Sequence, residues 1–385
     1  MGSTKIRSVY RATEAQFAVD PSANGALYQF IHAADVAPSP SFGESIDRTV
    51  QNDTLDHPGT IIGAQGGTLG FKAELRGPGS TLAADDTKTA SHGEVGEALE
   101  AIFGSARKGQ GTTFTGTWTS TGGKSKGQLA SMTGVQVGDI LYRVNSKGRV
   151  EARPVVTKTT DIEVSPPWSE IPTAASKCYA MVNYIASNSG QKTESYVVKG
   201  DDFEWLLQGL MGTVQLEALT ARGLGMLGFT YQVDRVNHKS TKASLPAAAD
   251  AFPNPPVAVR APCWINGVQT MITEFSFDLG NDVQPKLATE GDQGRYGWAV
   301  VGQARAASAK VYYSADVIDL YQAGTKFPVF FFVENGPGNV MAVYIPAAQI
   351  VADPSLEDNA GQNGQTLALR ATKPASGPSF VLAIG

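Results

Sequence analysis

Four histidines, two cysteines and two adjacent aspartate pairs are the residues of this chain best suited to chemistry, and their spacing gathers none of them into a set. His32, His57, His92 and His238 stand far apart with no Cys or Asp/Glu cluster beside them, whereas a metal site legible in sequence needs ligands at short, fixed intervals. They are read as structural or exposed. Asp85-Asp86 lies in a Gly/Ala/Thr stretch and Asp201-Asp202 follows Gly200, so each pair reads as a solvated turn or a helix cap, not a general acid/base couple. The glycines of residues 63–70 precede a strand, but a phosphate-cradling loop follows a strand and opens a helix. Ser195 and Ser276 lie in strands without a Gly-x-Ser-x-Gly elbow. The run Phe330-Phe331-Phe332 has no basic companions and reads as sandwich core, not a base-stacking platform. Cys178 and Cys263 sit in apolar strands and read as buried, reduced thiols. The expectation is no enzyme, no cofactor and no metal.

Composition points the same way. With 385 residues the chain has room for two or three domains. Charged residues make up only 17%, which suits surface buried in subunit contacts, while 42 Gly and 21 Pro punctuate many short strands. A net charge of −5 argues against a scaffold that grips nucleic acid by its phosphates and fits a surface that nucleic acid passes without sticking. No run approaches the ~20 apolar residues that span a bilayer. The first residues lack the apolar core of a signal peptide, so the chain is expected to be made and kept, or assembled, in the cytoplasm.

The elements recur. Residues 69–75 alternate as a half-buried strand, and residues 94–104 put Val95, Leu99, Ile102 and Phe103 on one helical stripe. Strands at 178–186 and 193–199 then flank a turn at 188–190 and are read as a hairpin. In the second half, residues 309–314 lead into a helix at 316–324 and a hairpin of 329–333 with 340–345. Residues 1–20 read as an arm, 128–176 as an insertion in the first unit, 200–208 as a short helical or irregular crossing, and 237–257 as a surface linker. Residues 271–279 do not keep one perfect face, which suggests a bulge or an interface. Two long polar stretches, 47–67 and 282–297, lie at the same point of each unit and read as loops.

The second half resembles the tail tube (major tail) proteins of long-tailed bacteriophages. The matching text is WING at 264–267, TEFSFDLGNDVQPK at 273–286, GRYGWAVVGQA at 294–304, AKVYYSADVIDLYQAGT at 309–325 and PVFFFVENGPGNVMAVYIPAAQI at 328–350. Residues 1–235 resemble the family more loosely, through YRATEAQF at 10–17, GGTLGFKAELRG at 66–77, EALEAIFG at 97–104 and residues 193–218. None of these stretches holds a catalytic or ligand-binding residue, and the 128–176 insertion and the duplication depart from the family pattern.

The resemblance implies a mainly β fold with flanking helices, as two tandem tail-tube-like β-sandwich or barrel domains: 1–236 and 258–385, joined by 237–257. It implies a virion protein, assembled in the host cytoplasm, that polymerises into stacked rings through which DNA is ejected. Two units per chain would let three chains build a pseudo-six-fold ring. Partners would be further copies of itself, other tail proteins and double-stranded DNA passing unbound, with no membrane.

Inter-ring contacts are expected in the two loops, at Asp47, Asp53, His57 and Ile61 and at Asp282, Lys286, Glu290 and Arg295. A neutral-to-acidic channel wall is expected from the hairpins, at Asn183, Thr193, Ser195, Glu334, Asn335 and Asn339. Two other readings stand beside this one. One is a trimeric tail-tip or baseplate hub; the other is a receptor- or carbohydrate-binding β-sandwich using exposed Trp118 and Trp168.

Overall fold

The computed structural model describes residues 6–43, 45–47, 60–77, 94–109, 111–179, 181–220, 222–238, 241–247, 261–291, 294–336, 338–359 and 361–385, and it is mainly β. The N-terminal part runs β1 (Ile6–Thr13), β2 (Gln29–Ile31), β3 (Ala33–Ser41), β4 (Ser45–Asp47), β5 (Thr60–Ile62), β6 (Gly66–Glu74) and α1 (Gly96–Phe103). Next come β7 (Ala106–Lys108), β8 (Thr112–Thr121), β9 (Lys124–Leu129), β10 (Ile140–Val144), β11 (Val150–Lys158), β12 (Ile162–Val164), β13 (Lys177–Cys178) and β14 (Val182–Ile185). The chain continues through β15 (Glu194–Gly200), β16 (Glu204–Thr220), β17 (Met226–Val233) and β18 (Arg235–Asn237).

The C-terminal part opens with β19 (Cys263–Ile265), β20 (Val268–Thr270), β21 (Ile272–Asp278), β22 (Asn281–Leu287), β23 (Arg295–Gln303) and β24 (Ala306–Tyr312). It ends with α2 (Ala315–Gln322), β25 (Phe327–Glu334), β26 (Val340–Ile350), β27 (Ser355–Asn359), β28 (Gln362–Ala371) and β29 (Val381–Ile384).

One set of pairings closes the N-terminal strands on themselves. β2 pairs with β1, β1 with β15, β15 with β16, β16 with β17, β17 with β6 and β6 with β3, which follows β2 across His32. The C-terminal strands pair in the same sequence: β20 with β19, β19 with β25, β25 with β26, β26 with β28, β28 with β24 and β24 with β21. Irregularities recur too. The β15–β16 register slips between Glu194 and Tyr196, and β25–β26 slips likewise between Phe327 and Val329. A small hairpin is inserted between the paired strands of each set, β4–β5 in one and β22–β23 in the other. α1 packs against β16 and α2 against its counterpart β26.

Both sets enclose one apolar core in which Phe71, Phe229, Phe275 and Phe331 are buried. Gly209 shows how β16 serves two layers. Its φ of +65° breaks the extended path, and a Cβ there would lie 2.8 Å from that of Asp234. Up to Leu210 β16 pairs with β15 and β18; from Met211 onward it pairs with β17 and β21.

Several expectations are corrected. The supposed arm is a strand between β15 and β2, with Val9, Tyr10, Arg11 and Ala12 all buried. The hairpin expected from 178–186 and 193–199 does not form: β14 pairs with β7 and the C-terminal β29, and the counterpart of β25–β26 is β15–β16. The stretch read as an irregular crossing opens β16 at Glu204, and the 282–297 loop is largely the hairpin β22–β23. The insertion reaches beyond 128–176, because its six-stranded sheet, β8 to β13, begins at Thr112. Within the supposed linker, Lys242 is buried and ion-paired with Asp20; residues 248–257 lie outside the described residues.

The insertion covers the second face of β25 and β26. Ile140, Tyr142, Val150 and Ala152 pack there on Phe330, Phe332, Ala342 and Tyr344. That accounts for the triple phenylalanine: Phe331 faces the main core while Phe330 and Phe332 face the insertion. A strand buried on both faces reads as a continuous apolar run.

Candidate functional site

The feature that distinguishes the molecule is a sheet of eight strands, β3–β6–β17–β16–β21–β24–β28–β27, which crosses from the N-terminal set to the C-terminal set at β16–β21. Strand alternation gives this sheet two unlike faces. Leu69, Phe71, Leu216, Phe229, Phe277 and Leu369 point into the core. The other face carries Gly, Ala, Ser, Thr and Gln side chains together with charges. Among the described strand residues of that face, the bases are Lys72, Lys310 and Arg370, and the acids are Asp35, Glu74, Glu217, Glu274, Asp278 and Glu357.

Two ion pairs repeat across it. Lys72 on β6 lies 2.8 Å from Glu217 on β16, and Lys310 on β24 lies 3.0 Å from Glu357 on β27. Hydrogen bonds to Glu217 and Asp35 raise the Lys72 pKa and hold it charged. At the crossing the polar face forms a shallow depression of about 640 Å³, lined by Gln215, Glu217, Ser276, Asp278, Ser308 and Arg370 among others.

The residues expected on a channel wall lie elsewhere. Asn183 is buried, accepting a hydrogen bond from Ile140 N at 2.8 Å, and Ser195 is buried and donates to Glu14 at 2.6 Å. Asn339 is buried and accepts from Gly77 N at 3.0 Å; Glu334 is half-buried and accepts from Val150 N at 2.9 Å. Thr193 is half-buried, its carbonyl accepting from Glu14 N at 3.0 Å, and Asn335 is exposed at a turn. Of the two hairpins expected to supply the wall, the first does not form and the second, β25–β26, is covered on both faces by the chain itself; Asn183, Ser195 and Asn339 are all buried within the single chain.

Of the expected inter-ring residues, Asp282, Lys286 and Glu290 are exposed on or just beyond β22, where Gln284 donates to Asp282 at 2.7 Å. Arg295 is not free for a partner: it pairs with buried Asp234 at 2.9 Å, donates to Gln65 O at 2.5 Å and stacks over Trp298. It ties the β22–β23 hairpin to the rest of the fold. Asp47 lies in β4 opposite Thr60, and Ile61 lies in β5 opposite Ile46. Asp53 and His57 lie outside the described residues.

Trp118 and Trp168, the aromatics proposed for a carbohydrate surface, are buried in the core of the insertion, and Trp168 is stacked by Arg143 and Arg153. Cys178 and Cys263 are free and buried, and burial raises each thiol to about 12. Among the described residues no group of three or more His, Cys, Asp and Glu could hold a metal ion, and no helix is long and apolar enough to cross a membrane.

Sequence reasoning missed a buried polar cluster at the N-terminal strand. Arg11 pairs with Glu194, with both side chains 1% exposed, and reaches Glu97 at 2.7 Å. Tyr231 donates to Glu194 at 2.9 Å. Glu14 accepts from Ala18 N, Gly209 N and Ser195, although burial still raises its pKa. The available signal was that Arg11 is flanked by Tyr10 and Ala12 in a strand without polar alternation.

Comparison with models of known protein families and with curated protein sequences finds no match to this chain.

Proposed function

We propose that the chain is a structural subunit of a bacteriophage tail tube, made of two copies of one β unit, which polymerises into stacked rings around a channel for DNA. The observation that carries this reading is the eight-strand sheet shared by the two sets of strands, apolar toward the core and polar on its other face. A sheet whose outermost strands lack a neighbour removes its edges by closing into a barrel. Eight strands from each of three chains close a barrel roughly 45–50 Å across, backbone to backbone, at ~4.8 Å between strands tilted by ~35–45°.

The wall is then the polar face of that sheet, in place of the hairpins expected from sequence. Its small side chains leave the bore open, and its excess of Glu and Asp repels phosphate, so DNA gains nothing from counterion release at the wall. The mechanism is polymerisation and passage, with no chemical step. Negative-stain microscopy of the concentrated, purified protein tests it. Hollow rings or tubes with three-fold or pseudo-six-fold end views are the expected result; a chain that stays monomeric at every concentration overturns the reading.

A further inference from the structure

Independently of the ring reading, we infer that the cleft around Arg305 binds a small tetrahedral dianion, either inorganic phosphate or a phosphate monoester. Arg305 sits in the turn between β23 and β24. Its neighbours Ala304 and Ala306 line the depression on the polar face of the eight-strand sheet. Arg305 itself lines two other hollows, of about 350 and 450 Å³, which share it and Asn188, so the cleft stands apart from the proposed channel wall. Three segments distant in sequence meet in the larger hollow: the stretch after β14, the β23–β24 turn and the connection from β28 to β29.

What marks the cleft is a guanidinium without an acid. Arg11, Arg107, Arg143 and Arg295 are buried or half-buried, and each faces a carboxylate. Arg305 is half-buried too, but among the described residues its side chain has only neutral partners. Nη1 donates to Ser379 Oγ; Nη2 donates to Gln303 Oε1 and, at 3.1 Å, to Asn188 Oδ1. Its Nε is buried with no acceptor, and burial lowers its pKa with no carboxylate to raise it again. Neither hollow has an Asp or Glu in its lining, in a chain with 36 acidic residues, and Lys373 brings a second positive charge to the larger one. A cation drawn out of water costs free energy until an opposite charge meets it.

The donors are fixed in place and suit a ligand rich in oxygen. Gln303 Nε2 donates to Ser187 O at 2.9 Å and to Asn281 Oδ1 at 2.8 Å, which turns Oε1 toward Arg305. The Arg305 carbonyl accepts from Ala371 N at 3.0 Å. On the far wall the β28–β29 connection packs on the insertion: a Cβ on Gly138 would lie 2.5 Å from Pro378, and one on Gly377 3.3 Å from Val137. Donors held in this way lose little freedom when they bind. Arg305 and Lys373 together balance a doubly charged anion, and Asn188 Nδ2 with the Ser189 and Ser379 hydroxyls adds neutral donors in the same hollow. A tetrahedral phosphate can meet donors from that many directions, whereas a planar carboxylate cannot.

The test is thermal unfolding of the full chain with added inorganic phosphate, glycerol 3-phosphate or succinate, each against sodium chloride of equal ionic strength. Both phosphates are expected to raise the midpoint saturably, and succinate to do no more than chloride. The apparent affinity should fall about tenfold or more in Arg305→Gln, through loss of a charge-assisted hydrogen bond. It should fall less in Lys373→Ala, where an exposed side chain is trimmed and the fold is kept. Tighter binding of glycerol 3-phosphate than of phosphate would identify the ligand as a monoester, and the reverse order as the free ion. A wild-type chain indifferent to both phosphates, an equal response to succinate, or undiminished affinity in both variants overturns the site. Microscopy of rings reads the tube proposal separately, so either can fail without the other.

Discussion

Arg11 and Glu194 show how much a single buried pair decides. Both are sealed from solvent, and the hydrogen bond from Tyr231 stabilises the Glu194 carboxylate only while the guanidinium remains beside it. Taking an unpaired carboxylate out of water costs several kcal/mol, so removing one partner is far worse than removing both. Arg11→Met alone should lower stability by roughly 3–5 kcal/mol, read as the shift in urea midpoint at constant slope. Arg11→Met with Glu194→Leu should recover most of that loss. A double variant no more stable than Arg11→Met would show that the cluster stabilises by shape and not by charge pairing. The apolar neighbours Tyr10 and Ala12 mark Arg11 alone and not its pairing, because Glu194 lies in a strand far along the chain.

At the scale of elements, the two helices and the β25–β26 hairpin were legible because their signals are local: an apolar stripe, or two apolar runs around a Gly-rich turn. β14 was not. Its apolar run resembles that of β15, and only the arrival of β29 from the far end of the chain settles which strand it joins. Pro285 and the glycines at 291, 294 and 297 make residues 282–297 read as a loop, with a strand only from Trp298, yet β22 and β23 form a ribbon with Leu287, Tyr296 and Val301 exposed at 75%, 59% and 62%. A two-stranded ribbon is marginal alone, and exposed apolar side chains on one call for a partner surface. If that surface is the adjacent ring, deletion of residues 286–294 should give a folded, soluble subunit that forms rings but no tubes, because Arg295 and its anchor on Asp234 remain. Tubes of wild-type length from the deleted chain, counted by microscopy, would remove the hairpin from stacking.

For the whole molecule, two strand pairings among the described residues join the two sets, each between strands distant from the segment that links the sets in sequence. β16 pairs with β21 at one seam. At the other, β14, which follows the insertion, pairs with β29, while the insertion's Ile140 and Tyr142 pack on Phe330 and Phe332. The apolar core runs through both sets without a break, from Leu69 and Phe71 to Phe331 and Leu382. Surface shared in this way cannot be exposed in one half while the other stays native, so the halves should unfold together. This sets the molecule apart from two domains on a tether, whose interface is small and polar and permits relative motion. It also suits a ring component, because a rigid seam inside the chain holds the rotation that the seam between chains must repeat. A protease site engineered between residues 248 and 257 tests it. After cleavage the two fragments should co-elute on gel filtration and melt in one transition near that of the intact chain. Fragments that separate in native buffer, or a melt in two steps, would show that each half holds its fold alone and that the seams only dock them.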